Sequence, residues 1–208
     1  MARGRIVLWE VDAQADFMLP GGKLYVPGAE KLIPNIRQLV STASEQGVFL
    51  VSSGDAHAEN DPEFQQFPPH CLRGTPGAQI IPEGLTRDFL LVANDPSEVL
   101  GADVLEHSQV VLEKQSLDVF DNPHTSEMVE RLGADTEYVV FGVVTEYCVR
   151  CAAKGLLDRG KAVLIVSDAI ETLKPEDGCR TLDELRRLGA RLISTEGVLE
   201  KIRMPAER

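Results

Sequence analysis

Short runs of β-branched and aliphatic residues recur along the chain, at Arg5 to Val11, Val48 to Ser52, Val110 to Glu113, Tyr138 to Phe141, Ala162 to Val166 and Arg191 to Ser194. Each is almost continuously apolar, as strands covered on both faces of a parallel sheet are. Between them the periodicity turns helical, over Ala29 to Gln46, Ser126 to Leu132, Tyr147 to Asp158 and Glu176 to Leu188. Parallel neighbours need crossover connections, which these segments supply, so the alternation predicts βαβ units building an α/β domain around a mostly parallel sheet of about six strands covered on both faces. A length of 208 residues fits a single domain spanning 1–208.

Two stretches break the alternation. Ala56 to Pro82 is rich in Pro, His, Asn, Gln and Gly and has no apolar period, so it reads as a long loop. Long loops inside a compact domain usually carry function. Asp88 to Ser108 reads as an additional short strand, Phe89 to Val92, followed by a weak helix.

A formal charge of −12 sets the chain against phosphate backbones and anionic lipid, and no Lys/Arg cluster reverses that sign locally. Nucleic acid and membrane partners are therefore not expected. The N-terminus runs straight into a strand-like segment too short for a secretory leader, which leads us to expect a cytoplasmic protein. The four cysteines, Cys71, Cys148, Cys151 and Cys179, are too scattered for a disulfide framework and are expected to be free thiols. Cys148 and Cys151 have redox-pair spacing, although Val149-Arg150 lacks the Pro or Gly often found between such cysteines.

In open parallel sheets, ligands bind beyond the carboxyl ends of the strands. Asp12, Asp55, His57, Lys114 and Cys148 all lie there or shortly after. Cys148 follows a turn into a helix, where the helix N-terminus is expected to lower a thiol pKa and where the Val144 and Cys148 amides can face an oxyanion. A buried structural cysteine is the alternative. Asp12 is placed to exchange a proton with Cys148, and Lys114 to stabilise that carboxylate, unless the two form only a structural ion pair. The loop adds His57, Glu63 and His70 to Asp55, a mixed nitrogen and oxygen set suited to zinc, iron or manganese. Either histidine alone also fits a capping or hydrogen-bonding role.

These motifs, Asp12-x-Gln14-x-Asp16-Phe17, Asp55-Ala56-His57, Phe67-Pro68-Pro69-His70-Cys71 with Gly74-Thr75-Pro76-Gly77, and Gly142-Val143-Val144-Thr145-Glu146-Tyr147-Cys148-Val149, occur in an order that resembles the isochorismatase-like cysteine hydrolases, within them the nicotinamidase/pyrazinamidase group. The resemblance implies a three-layer α/β/α, Rossmann-like isochorismatase fold and a metal-dependent amidohydrolase acting on a small-molecule amide. Cys148 would be the nucleophile, Asp12 the proton shuttle and Lys114 its support. It further implies a cis peptide at Val143-Val144 with an oxyanion hole from Val144 and Cys148, an acyl-thioester intermediate, and nicotinamide converted to nicotinate and ammonia in NAD salvage. One divalent metal, zinc foremost, would sit on Asp55, His57 and His70, with Glu63 matching a fourth ligand used by some members. Phe17 and Phe67 would sandwich the substrate ring, and family members often form homo-oligomers.

After Lys114 the chain departs from the group, with Gln115 to Asn122 replacing its usual pocket-lining segment. Three other readings remain: a carbamoyl or ureido hydrolase of the same superfamily, a vinyl-ether hydrolase, for which Cys148 is out of place, and a catalytically idle binding protein that keeps the fold.

Overall fold

The computed structural model describes residues 5–204. Its sheet has seven strands: Ile6–Val11 (β1), Phe49–Asp55 (β2), Phe89–Val92 (β3), Gln109–Lys114 (β4), Glu137–Gly142 (β5), Ala162–Ile170 (β6) and Arg191–Ile193 (β7). They run in the order β3-β4-β2-β1-β5-β6-β7, and every pairing is parallel. All six apolar runs are strands, and Phe89 to Val92 adds the seventh at one edge.

Helices cover both faces. Ile33–Gln46 (α2) and Thr195–Arg203 (α6) bury Ile36, Leu39, Val198 and Leu199 against one face. Thr125–Arg131 (α3), Arg150–Asp158 (α4) and Pro175–Arg187 (α5) bury Met128, Leu156 and Leu185 against the other. The four-residue Ala15–Met18 (α1) turns the chain away from β1. In α5, Glu176 and Asp177 in the first turn and Arg186 and Arg187 in the last complement the helix dipole.

The structure corrects two sequence expectations. Ala29 to Gln46 is divided, with a 3₁₀ turn at Ala29–Leu32 before α2. The weak helix expected after β3 is a series of turns, because Pro96 and Gly101 interrupt the segment and the Asp95 carboxylate accepts the Ser97 N–H and hydroxyl. Among the described residues no helix is long and apolar enough to cross a membrane.

Glycine is required at the end of β5, where a Cβ on Gly142 would lie 2.0 Å from the Val11 carbonyl oxygen. That close approach brings the ends of β1 and β5, and hence the turns that follow them, side by side.

β1 also buries a carboxyl group in its apolar run. Glu10 is fully buried and accepts a 2.8 Å hydrogen bond from Ser52 Oγ, which in turn accepts from Gln109 Nε2, while Gln109 also ties down Gly84 and Thr86. Burial pushes the Glu10 carboxyl up to about 8, against the opposing pull of the Ser52 hydrogen bond. An unfolded glutamate ionises near 4.5, so between about 4.5 and about 8 the folded chain binds the extra proton. Its contribution is complete below about pH 4.5 and is lost as pH rises through about 8. Glu10→Gln keeps the shape without the titration. Its melting temperature should exceed that of the parent near pH 8, and the gap should close near pH 4.5, as thermal scans at the two pH values would show.

Candidate active site

The carboxyl end of the sheet gathers the reactive groups around one buried ammonium. Lys114, the last residue of β4, is paired in register with Asp55, the last of β2. Its Nζ lies 2.9 Å from Asp12 Oδ2 and 3.5 Å from Cys148 Sγ and also hydrogen-bonds Asp55 Oδ1. All four residues are buried. Asp12 adopts a left-handed backbone (φ 49°) as the chain leaves β1, a conformation disfavoured for a residue with a side chain, and Ser53 Oγ donates to its Oδ1 at 2.6 Å.

The charges set one another. Burial works against the Lys114 cation, but Asp12, Asp55 and Cys148 together hold its pKa well above the ordinary lysine value. Burial also acts against the Asp55 carboxylate, yet Lys114 and the two histidines pull its pKa down. Asp12 goes the other way: burial raises it, the Asp55 charge adds to that, and Lys114 and Ser53 compensate only in part.

Cys148 corrects an expectation. It lies in a π-type turn, Thr145–Val149, that precedes α4, and not at the first turn of the α-helix itself. Burial pushes its thiol up; Lys114 opposes this and Asp12 and Asp55 reinforce it, so the thiol stays protonated near neutrality. The Val143-Val144 peptide is cis. Both Val144 and Cys148 line the cavity, and the Val144 N–H has no backbone partner among the described residues.

The long loop delivers its side chains to the same place. Ligand atoms of Asp55, His57 and His70 lie within 4.8 Å of one another. The two imidazole Nε2 atoms face Asp55 Oδ2 at 3.6 and 3.4 Å. Their far nitrogens face oxygen atoms: His57 Nδ1 is 3.0 Å from Asp61 Oδ2, and His70 Nδ1 is hydrogen-bonded at 2.8 Å to the Pro68 carbonyl oxygen. Both ring nitrogens of His57 are buried polar atoms with no aligned hydrogen bond. Two imidazoles and a carboxylate converging on one point, with both His57 nitrogens left without an aligned hydrogen bond, fit a divalent first-row metal. Glu63 stays outside this convergent group. It is half-buried on the cavity wall, in the 3₁₀ turn Pro62–Gln65, and burial followed by the Asp55 charge raises its pKa.

Phe17 and Phe67 line the same cavity as Asp55, His70, Val144 and Cys148. The Phe17 ring lies 5.3 Å from the His70 ring and Phe67 6.4 Å from it. From the segment that departs from the family pattern, Leu117 reaches the cavity. Phe120 turns away to stack on Trp9 at 6.2 Å.

Several positioning residues had no assigned role in the sequence. Gln14 clamps the end of β2, its Nε2 donating to the Asp55 and Ala78 carbonyls and its Oε1 accepting the Asp55 N–H. Asp16 accepts the Cys71 N–H at 2.7 Å and the Lys23 N–H at 3.0 Å, fixing the loop beside His70. Gln14 and Asp16 carried a signal, since both belong to a motif visible in the sequence. Asp61 was recognisable only as a carboxylate four residues after His57.

Comparison with known proteins gives a consistent picture. A sequence model described as the isochorismatase domain matches residues 7–197. A nicotinamidase/pyrazinamidase of Mycobacterium tuberculosis is 28% identical over 190 residues, covering 88% of this chain and 95% of that protein. The Escherichia coli nicotinamidase is 24% identical over 209 residues, covering 88% and 91%. Among solved structures, the pyrazinamidase of Pyrococcus horikoshii in complex with zinc aligns with a TM-score of 0.74 at 28% identity, over 91% of this chain and 99% of that one.

The Asp61 contact has a measurable consequence. Asp61→Ala removes the carboxylate that lies against His57 and should weaken divalent-metal binding by about 10- to 100-fold. Competition with a chromophoric chelator would measure this, and unchanged affinity would remove Asp61 from the site.

Proposed function

The chain belongs to the isochorismatase family, and from that premise we propose that this amidohydrolase converts nicotinamide to nicotinate and ammonia, a step of NAD salvage, using Cys148 as its nucleophile. The observation that carries this reading is the single buried Lys114 ammonium touching Asp12, Asp55 and Cys148 at once. It joins a nucleophile and a base to a metal-ligand cluster. Cys148, Asp55 and His70 face a cavity of only about 100 Å³ walled by Phe17, Phe67 and Tyr147, dimensions and chemistry suited to one aromatic ring.

Cys148 Sγ attacks the carboxamide carbon as its proton passes to Asp12. The raised pKa of Asp12 makes it a stronger base than an ordinary carboxylate. Lys114 remains cationic throughout and holds the carboxylate in place. Negative charge developing on the carbonyl oxygen meets the Val144 and Cys148 amides. Asp12 then protonates the departing nitrogen, ammonia leaves, and an acyl-thioester remains on Cys148. Asp12, again ionised, draws a proton from the water that attacks the thioester, and the acid is released as the thiol is restored. A zinc ion held by Asp55, His57 and His70 would supply a Lewis-acidic anchor for the ring nitrogen, with iron or manganese as alternatives.

Ammonia release from nicotinamide by metal-loaded, reduced protein tests the proposal. Turnover should be abolished in Cys148→Ala and in a chelated sample; absence of turnover in the parent would redirect the search to other small amides. Asp12→Asn should lower kcat by about 10²- to 10⁴-fold, the range of general acid–base catalysis.

The pH profile is also specified. Asp12 must be ionised to accept the proton, and its pKa lies above the ordinary 3.8, so kcat/KM should fall on acidification at a pH higher than a solvent-exposed aspartate gives. The Ser53 hydrogen bond favours the ionised form, and Ser53→Ala should therefore move this acid limb further upward.

A further inference from the structure

Cys148 is buried, so access to its sulfur is set by what stands at the mouth of the cavity in front of it. Leu173 stands there. It is 45% exposed, whereas every other residue lining that cavity is buried or half-buried, so its side chain forms the outermost part of the wall. Residues 171–174, which carry it from β6 to α5, belong to no helix or strand. A leucine on such a segment holds its place only if something outside the segment fixes the backbone.

The turn that carries the nucleophile does so. Glu146, two residues before Cys148, accepts the Leu173 N–H at 2.9 Å, the Lys174 N–H at 3.2 Å and the Thr172 hydroxyl at 2.7 Å on its carboxylate. Thr145 adds a second tie, its N–H and hydroxyl donating to the Glu171 carbonyl at 2.8 and 2.7 Å. From the other side α5 closes in, since a Cβ on Gly178 would lie 2.7 Å from Thr172 Oγ1. Two consecutive residues of the turn thus hold four consecutive residues of the segment, and Leu173 is fixed relative to Cys148.

We propose that Leu173 is a specificity-determining residue that sets the upper size of the amide reaching Cys148, and that Glu146 is the positioning residue that holds it there. This rests on the reading of Cys148 as the nucleophile and narrows the substrate class to single-ring amides without a bulky substituent toward the mouth. A cavity of about 100 Å³ has room for one ring, and a side chain locked by hydrogen bonds to its backbone excludes larger groups where a mobile one would yield. Glu146 also stands in for a cap on α5, whose N-cap residue Lys174 makes no side-chain cap hydrogen bond. Capping alone would alter stability without altering what reaches Cys148.

Alkylation of Cys148 tests this without assuming a substrate. Reduced full-length protein is treated with iodoacetamide or the larger iodoacetanilide, and peptide mass spectrometry follows Cys148, with exposed Cys179 in the same digest correcting for intrinsic reagent reactivity. Leu173→Ala should raise the anilide-to-iodoacetamide rate ratio at Cys148 by about tenfold, the low end of what a methylene is worth in a hydrophobic pocket. Leu173→Phe should lower the ratio, and Glu146→Ala should follow Leu173→Ala. Glu146→Gln keeps an oxygen for the two N–H groups and should restore the parent ratio. Circular dichroism checks that each variant is folded. The ratio of kcat/KM for 5-methylnicotinamide over nicotinamide should change in the same order; if nicotinamide itself is not turned over, the labelling ratio still decides the role of Leu173. A folded Leu173→Ala variant with the parent ratio would overturn the proposal, and so would a Glu146→Ala variant that leaves the ratio unchanged or speeds both reagents alike.

Discussion

Burying an ammonium costs several kcal/mol unless its partners are ideally placed, and Lys114 is buried completely among two carboxylates and a thiol. Most of the site's organisation answers to that requirement. Lys114 and Asp55 are register partners at the ends of neighbouring strands, so the sheet itself sets their separation. Asp12 follows the next strand over, where the backbone turns left-handed, and reaches the same nitrogen. Removing Lys114 would leave two buried carboxylates uncompensated, which is why its role is at once structural and electrostatic.

Asp55 faces both ways across this arrangement. One oxygen meets Lys114 and the other meets two imidazole nitrogens, so the reactive cluster and the metal-ligand cluster share a side chain. Alignment of the two is enforced from β1: Gln14 holds the backbone of Asp55, Asp16 holds the loop that carries His70, and Phe17 lies against the His70 ring. Gly77 lacks a side chain where one would collide with the Asp16 carboxylate, at 2.3 Å, so the loop closes tightly on its anchor. Within a few residues the chain therefore supplies a buried carboxylate, two clamps and a cavity wall.

This explains which parts of the protein were legible in the sequence. Strands buried on both faces announce themselves by composition, and reactive residues at strand ends follow from topology, so β1, β2, β4 and β5 brought Asp12, Asp55, Lys114 and Cys148 together as anticipated. Short or locally capped elements were less visible. α1 has only four residues, and α6, capped by Ser194, contains Gly197 within its first turn. Asp61 could not be singled out because its contact with His57 depends on the fold of a loop without periodicity. Glu10 was hidden in an apolar run, since its partners Ser52 and Gln109 come from other strands.

The Cys148 thiol shows how local and global fields differ. Chain direction alone suggests a helix N-terminus that favours the thiolate, an effect typically worth 0.3–1 kcal/mol and roughly 2 kcal/mol in favourable, partly buried geometries. Burial beside two carboxylates is the larger influence and keeps the proton on sulfur. The same burial raises Asp12, so the acceptor's affinity for a proton rises along with the donor's. Transfer between them exchanges a buried carboxylate for a buried thiolate while Lys114 faces both, leaving the net charge of the cluster unchanged. In the proposed reaction, that conserved charge would let the nucleophile form during attack rather than beforehand.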